Sequence, residues 1–159
     1  MMRAVRLFLS DSRNSKPAIV AAMHQSEPNG FWFEQDGSEI IAEWRNEQKL
    51  AAAVRRAMDR FSYKEVGMRS HKLTDWPAFR VSRCRSVNEF QKLYDTVWIQ
   101  SLNDKELFFQ ASVMPRGEDE ISLTLLLNSS RFEADAGRRL LRLHEACKQW
   151  QHVPFSAPS

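Results

Sequence analysis

The sequence of 159 residues has few glycines, histidines and cysteines, and it has none of the motifs that identify common enzymes. Its five glycines are isolated, so GxGxxG and GxxxxGK(S/T), the glycine-rich loops that bind nucleotide phosphates, are missing. The four histidines and two cysteines also lack the spacing of a zinc site, which needs several converging ligands. We therefore expect neither a metal nor another cofactor, and the sequence argues against catalysis more than for it.

Long hydrophobic runs are missing too. Apolar stretches such as residues 19–23 are far shorter than the roughly 20 residues of a membrane-spanning helix, and the first ten residues lack the apolar run of a signal peptide. Cys84 and Cys147 lie far apart without a CxxC partner, a pattern typical of reduced structural thiols. The sequence therefore predicts a cytoplasmic protein that neither enters nor crosses a membrane.

The composition is that of a folded protein. Leu, Ile, Val and Phe make up about a quarter of the chain, and 27% of the residues are charged. The length fits a single domain. We expect that domain over residues 1–150, followed by a flexible tail over residues 151–159, which contains two prolines.

Stretches in which apolar and polar residues alternate, or in which β-branched residues cluster, predict the strands. These stretches are residues 3–9, 17–24, 31–35, 39–44, 79–84, 107–114 and 121–127. Residues 17–24 also tolerate a helix, and we favour the strand. The Asp36-Gly37 pair favours a hairpin between its two flanking strands, because Gly accepts a positive φ. The last two strands must be antiparallel, since their connection is too short for a parallel crossover.

Apolar residues that recur every three or four positions predict three helices. The first spans residues 47–61 with Asn46 as its N-cap. The second follows a capping box at residues 86–89 and buries a stripe within residues 90–98. The third opens at a second capping box, residues 130–133, and has the most regular stripe in the chain.

The order of these elements predicts an α+β fold. Hairpins cluster, and the repeated strand–helix–strand alternation of a parallel α/β protein is missing. Each helix has one apolar stripe and each strand one apolar face. We therefore expect a single domain in which a mainly antiparallel sheet packs against about three helices, as a two-layer sandwich.

The net charge of +3 is concentrated in one segment. Residues 64–85 carry +4, whereas the rest of the chain carries −1. Arg outnumbers Lys sixteen to seven, and its planar guanidinium matches carboxylate and phosphate groups. Because aromatic residues lie among these cations, the segment is predicted to bind a partner. The alternative interpretation is a solvated arginine-rich loop in which Trp76 and Phe79 are anchored in the core. The candidate partner-binding residues are Arg69, Lys72, Trp76, Arg80, Arg83 and Arg85.

Three functions are compatible with these observations. The leading one is a non-enzymatic cytosolic protein of the inhibitor, immunity or adaptor kind, which binds an acidic protein through Arg and aromatic residues on a sheet face or loop. The second is a nucleic-acid-binding protein that uses the basic segment 64–85, as a pI near 9.1 permits. The third is a hydrolase in which His71, Asp75 and Cys84 meet, although no glycine-rich oxyanion loop supports it.

Overall fold

The computed structural model describes residues 2–10, 16–27, 30–64, 76–113 and 121–150. Within these ranges, eight strands form one mainly antiparallel sheet that packs against four α-helices. The predicted α+β class and single domain are confirmed. The elements are β1 (Ala4–Ser10), β2 (Ala18–Ser26), β3 (Trp32–Glu34), β4 (Glu39–Ile41), α1 (Glu47–Asp59), β5 (Ser62–Lys64), α2 (Pro77–Ser82), α3 (Val87–Leu93), β6 (Tyr94–Ser101), β7 (Glu106–Val113), β8 (Ile121–Asn128) and α4 (Phe132–Trp150).

The sheet has the strand order β3-β2-β1-β6-β7-β8, and β4 and β5 also pair with β2. Only the pairing of β2 with β5 is parallel among the described pairs. The predicted antiparallel pair near the C-terminus is confirmed as β7 and β8. The strand favoured over residues 17–24 is confirmed as β2, which is the longest strand described and pairs with four others.

Alternation along the strands gives the sheet two different faces. We call the face covered by the long helices α1 and α4 the major face, and the opposite one the minor face. The major-face core is mostly aliphatic, and α1 and α4 contribute Leu50, Val54 and Leu140 to it. Its strand residues include Val5, Leu7, Leu9, Val97, Ile99, Phe109 and Leu127.

Local sequence signals explain the two long helices. The side chain of Asn46 caps α1 by accepting hydrogen bonds from the backbone N–H groups of Gln48 and Lys49, as predicted. Where α4 crosses the start of α1, Gly137 leaves room for the backbone of Glu47. A Cβ atom at residue 137 would overlap the Glu47 carbonyl oxygen and lie 2.6 Å from the carbonyl carbon.

The minor face carries a smaller, aromatic cluster. Phe8, Ile19 and Ala21 of the sheet pack against Ala78 of α2 and Phe90 of α3. The sequence stripes predict the layer formed by α1 and α4, whereas this second group of helices on the other face was not predicted.

Two predicted strand features are wrong. No hairpin forms around Asp36-Gly37, because β3 and β4 both pair with the long strand β2 and not with each other in the described pairings. Gly37 keeps the positive φ of 79° that the pair predicts. The side chain of Arg60 donates hydrogen bonds to the carbonyls of Asp36 and Gly37 and holds the turn against the end of α1.

The predicted strand over residues 79–84 is also wrong. Residues 77–82 form the helix α2, with Pro77 in its first turn. The carboxylate of Glu34 accepts a hydrogen bond from the Ala78 N–H, 44 positions away in the chain. A distant partner therefore fixes the start of this helix.

The second predicted helix is too long. The capping box is present, since Ser86 Oγ accepts from the Glu89 N–H, but α3 ends at Leu93. Residues 94–98 belong to β6, which pairs with both β1 and β7 at the centre of the sheet. Thr96, Val97 and Ile99 are β-branched and favour that strand.

The last helix begins differently from the prediction. Asn128 replaces Ser130 as the cap, and its side chain accepts from the Ser130 N–H. A 3-10 turn, Ser129–Arg131, then leads into α4 at Phe132. Asn and Ser are comparable N-cap residues, so the sequence alone does not distinguish the two starts.

Candidate partner-binding surface

Four of the six predicted binding residues lie together on the minor face, on α2 and the turn that follows it. They are Trp76, Arg80, Arg83 and Arg85. Arg69 and Lys72 lie outside the described residues. We call residues 80–85 the arginine turn.

Trp76 serves as an anchor of this region. Its ring lies 5.5 Å from that of Phe8 and 4.9 Å from that of Phe90, measured between centroids, and it is only partly exposed. Phe79 also packs against the same cluster, with its ring 6.1 Å from that of Phe90. The two aromatic residues therefore connect α2 to the sheet and position the arginines beside them.

A buried carboxylate fixes the start of α2. Glu34 on β3 accepts hydrogen bonds from the Ala78 N–H at 3.1 Å and from the side chain of Trp76. Its other oxygen lies 3.4 Å from Nη1 of Arg6. Burial raises the pKa of Glu34, and the hydrogen bond from Trp76 and the charge of Arg6 only partly oppose that effect. Glu34 therefore acts as a structural link between the sheet and α2.

The arginine turn carries charge that the described residues do not neutralise. Arg80, Arg83 and Arg85 are exposed, and their guanidinium groups form no ion pair with any described residue; Lys92 on α3 is similar. Residues 76–93 have a formal charge of +3. The concentration of charge predicted for segment 64–85 therefore includes an exposed cluster of cations on a helical support.

Other arginines of the chain are mostly paired. Arg55 bonds to Glu133, and Arg131 and Arg138 both bond to Asp135 on α4. Exposure alone does not explain the difference, because Arg131 and Arg138 are also exposed. Beside the arginine turn, the Glu89 carboxylate accepts from the backbone N–H of Arg85 at 2.6 Å, and no described ion pair joins it to the three guanidinium groups.

The backbone of the arginine turn is unusual at Arg83. This residue closes α2 in the left-handed conformation, with a φ of 55°, and it is the one described non-glycine residue with a positive φ. Glycine is the usual residue at such a position, because a side chain there is sterically costly. Ser82 Oγ stabilises the turn by donating to the Phe79 carbonyl and accepting from the Cys84 N–H.

A row of aromatic side chains extends across the minor face away from α2. Ring centroids are 5.2 Å apart between Tyr63 and Phe61, 5.7 Å between Phe61 and Trp32, and 5.4 Å between Trp32 and Trp98. The guanidinium of Arg6 lies 5.6 Å from the Trp98 ring and so joins this aromatic row to Glu34 and α2. Tyr63 is 42% exposed at the outer end of the row.

Sequence reasoning missed the aromatic row. The helical stripe predicted within residues 90–98 includes Trp98. In the structure Trp98 belongs to β6, and its side chain lies on the face of the sheet opposite to that of its buried neighbours Val97 and Ile99. Strand alternation over residues 94–101 is the signal that could have found it.

A second polar cluster lies on the major face at the end of α4. Nε2 of His144 and Nζ of Lys148 each lie 2.7 Å from Oδ2 of Asp95. Burial opposes ionisation of Asp95, but the hydrogen bonds from His144 and Lys148 outweigh it and lower the pKa of Asp95. Nearby Cys147 is fully buried and donates to the Ala111 carbonyl. The cluster attaches α4 to β6 and presents no accessible nucleophile.

The described residues do not test the hydrolase hypothesis. His71 and Asp75 of the hydrolase hypothesis lie outside them, so their relation to Cys84 is not described. No group of three potential metal ligands occurs within the described ranges. No described helix has both the length and the apolar character needed to span a membrane.

Comparison with known proteins gives a structural similarity. No family model matches the chain, and no curated protein matches it. A solved structure, described as a protein of unknown function, NMB0488 from Neisseria meningitidis, is similar to this chain with a TM-score of 0.65 and 13% sequence identity. The match covers 92% of this chain and 96% of that one. At this identity the similarity supports the whole fold and carries no activity.

Proposed function

We propose that this protein is a non-enzymatic binding protein, of the inhibitor, immunity or adaptor kind, which recognises an acidic surface on another protein through its minor face. The observation that carries the proposal is the arginine turn. Its three exposed guanidinium groups form no ion pair with a described residue, whereas six described arginines elsewhere in the chain do form ion pairs. An acidic partner protein would supply the missing carboxylates.

The support beneath these arginines favours a binding role. Glu34 holds the first turn of α2, and the rings of Trp76 and Phe90 pack beneath it. Cations on a fixed support lose less conformational freedom on binding than cations on a mobile loop, so more of the interaction energy contributes to affinity.

The neighbouring aromatic row suggests the rest of the contact. Arg, Trp and Tyr are the residues most enriched where protein interfaces gain their energy. On this face the arginine turn lies at one end and the exposed Tyr63 at the other, with Arg6 and Trp98 between them. The proposed partner therefore presents an acidic patch beside an apolar one.

A protein partner is favoured over a nucleic acid by the packing of the aromatic rings. Base stacking needs open ring faces, but Trp32 and Trp98 meet edge to face at 83°, and Phe61 and Tyr63 at 84°. The net charge of +3 is also small for a protein that binds phosphates along a strand. Both cysteines are free, which suits our proposal of a cytoplasmic location.

The experiment compares two triple variants of the full chain. One variant replaces Arg80, Arg83 and Arg85 by Ala. The matched control removes the same charge from α4 by replacing Arg138, Arg139 and Arg142. Each of the three proteins is cross-linked to its partners in a cytosolic extract. We then identify the proteins that cross-link to the parent and to the control but not to the first variant. Each such protein is purified, and its affinity for the parent and both variants is measured by titration.

We expect the first variant to lose roughly tenfold or more in affinity for such a partner, and the control to lose much less. The loss should shrink at high salt, because salt screens exposed charges. Equal binding by all three proteins would contradict the proposal. A labelled single-stranded DNA that binds the parent tightly, with a salt dependence that the first variant reduces, would instead favour the nucleic-acid alternative.

A further inference from the structure

The arginine turn contains a thiol with a cationic neighbour. Sγ of Cys84 lies 3.7 Å from Nζ of Lys16, which precedes β2 in the chain. The thiol is free and partly exposed, and it packs at the edge of the minor-face cluster. A partly exposed sulfur with a cation beside it is the setting in which protein cysteines react with oxidants.

A buried hydroxyl group belongs to the same minor-face cluster. Tyr94 is 5% exposed, and its hydroxyl oxygen has no hydrogen-bond partner among the described residues. Burial first, and then the charge of Cys84, raise the pKa of Tyr94 to about 12, so the two groups interact electrostatically. A buried hydroxyl without a partner is unfavourable, and an oxygen atom added to the Cys84 sulfur would provide an acceptor.

We propose that Cys84 is a redox modification site, at which hydrogen peroxide converts the thiol to a sulfenic acid held between Lys16 and Tyr94. The Cys84 thiolate attacks one peroxide oxygen, an S–O bond forms and the O–O bond breaks. Hydroxide leaves and takes a proton from solvent to become water, so sulfur is oxidised while peroxide is reduced. This inference departs from the expectation that Cys84 is a structural thiol, and it does not depend on the proposed binding function.

Cys147 is an internal control for this reaction. It is fully buried on α4, and its thiol donates to the Ala111 carbonyl. Burial is the main cause that raises the pKa of Cys147, which disfavours its thiolate. The two cysteines of one molecule therefore differ in exposure and in the charge beside them.

The test uses the full, reduced chain treated with hydrogen peroxide and trapped with dimedone, which reacts with sulfenic acids. Mass spectrometry measures the labelling of each cysteine over time. We expect Cys84 to label at least roughly tenfold faster than Cys147. Equal labelling of the two cysteines in the folded protein would overturn the proposal.

Three variants separate activation from mere exposure. Lys16→Gln should slow the labelling of Cys84 by about threefold or more, and Lys16→Arg should restore it, because it retains a cation. Lys92→Met is the control that removes an exposed cation from α3, and it should leave the rate nearly unchanged. Circular dichroism confirms that each variant is folded.

The role of Tyr94 is tested by delaying the trap. Tyr94→Phe should leave the initial oxidation rate unchanged and shorten the lifetime of the sulfenic acid, because the hydroxyl no longer donates to it. An unchanged rate in folded Lys16→Gln would overturn the assigned activation, and an unchanged lifetime in folded Tyr94→Phe would overturn the assigned stabilisation.

Discussion

On the major face of the sheet, α1 and α4 close over aliphatic side chains such as Leu50 and Leu140, both fully buried. On the minor face, the short helices α2 and α3 cover part of the sheet with aromatic rings centred on Phe90. Several arginines of the long helices form ion pairs, as Arg55 does with Glu133 and Arg138 with Asp135, whereas those of the arginine turn form none with a described residue. The comparison separates residues that stabilise the fold from exposed charges that form no ion pair with a described residue.

A buried carboxyl group on each face shows the same contrast. Asp95 on the major face accepts hydrogen bonds from His144 and Lys148 of α4, and these bonds lower the pKa of Asp95 despite its burial. Burial dominates for Glu34 on the minor face, where the pKa is raised although Trp76, Arg6 and Ala78 all bond to the carboxyl. The first carboxyl stabilises the fold as an anion, whereas the second reduces stability when it ionises.

The largest expected effect is the loss of a buried major-face side chain. Leu140→Ala should lower the free energy of unfolding by about 2 to 5 kcal/mol, because it leaves a cavity at a fully buried site. Urea unfolding at neutral pH measures the loss. Leu93→Ala, at a partly exposed site of α3, should lose less. If Leu93→Ala proved the more damaging of the two, the ranking of the faces would be reversed.

The next effect concerns the crossing of the two long helices. Gly137→Ala should lower the free energy of unfolding by about 1 to 3 kcal/mol, because the added methyl group overlaps the backbone of Glu47 and forces the helices apart. This loss is net of the gain of about 1 kcal/mol that Ala normally brings to a helix. Thermal unfolding followed by circular dichroism measures it. A more stable variant would show that α1 and α4 can separate without cost.

The sequence predicts the major face well because its signals are local. The stripes of α1 and α4 place Leu50, Val54 and Leu140 in the core, and the short connection between β7 and β8 requires an antiparallel pair. Asn46 also caps α1 as expected. Each of these features depends on residues within a few turns or one hairpin of each other.

The minor face depends on contacts between distant residues, and sequence patterns do not contain them. The spacing of Phe90, Leu93 and Val97 fits a helix, yet pairing with β1 and β7 makes Val97 part of a strand. The start of α2 depends on Glu34, and the aromatic row depends on Trp32 meeting Trp98 from another strand. The charge of the arginine turn was predictable from composition, whereas its helical support was not.

A smaller effect is expected from the pH dependence of the major-face carboxyl. The pKa of folded Asp95 is lowered beneath its unfolded value of about 3.9. Its stabilisation is therefore complete above that value and is lost as pH falls through the folded pKa. Asp95→Asn should lower the free energy of unfolding by about 1.5 to 3 kcal/mol at pH 7, and the difference from the parent should shrink at pH 3. Urea unfolding at both pH values measures this.

Glu34→Gln is the minor-face counterpart of that variant. The raised pKa of Glu34 means that its stabilisation is full below the unfolded pKa and declines as pH rises through the folded pKa. Gln keeps an acceptor for Ala78 without the buried charge, so this variant should lose less stability at pH 7 than at pH 3, relative to the parent. A loss that grows with pH instead would show that Glu34 stabilises the fold as an anion.

The smallest expected effect on stability isolates the strain at Arg83. A left-handed residue other than Gly costs about 1 to 2 kcal/mol, and the greater freedom of Gly in the unfolded chain offsets about 0.4 to 1 kcal/mol of any gain. Arg83→Gly should therefore leave the free energy of unfolding unchanged or raise it by up to about 1 kcal/mol. Arg83→Ala removes the same cation but keeps the backbone strain, so it should show no gain. Guanidinium unfolding of both variants measures the difference. If the glycine variant were clearly less stable than the alanine variant, the left-handed conformation of Arg83 would store no measurable strain.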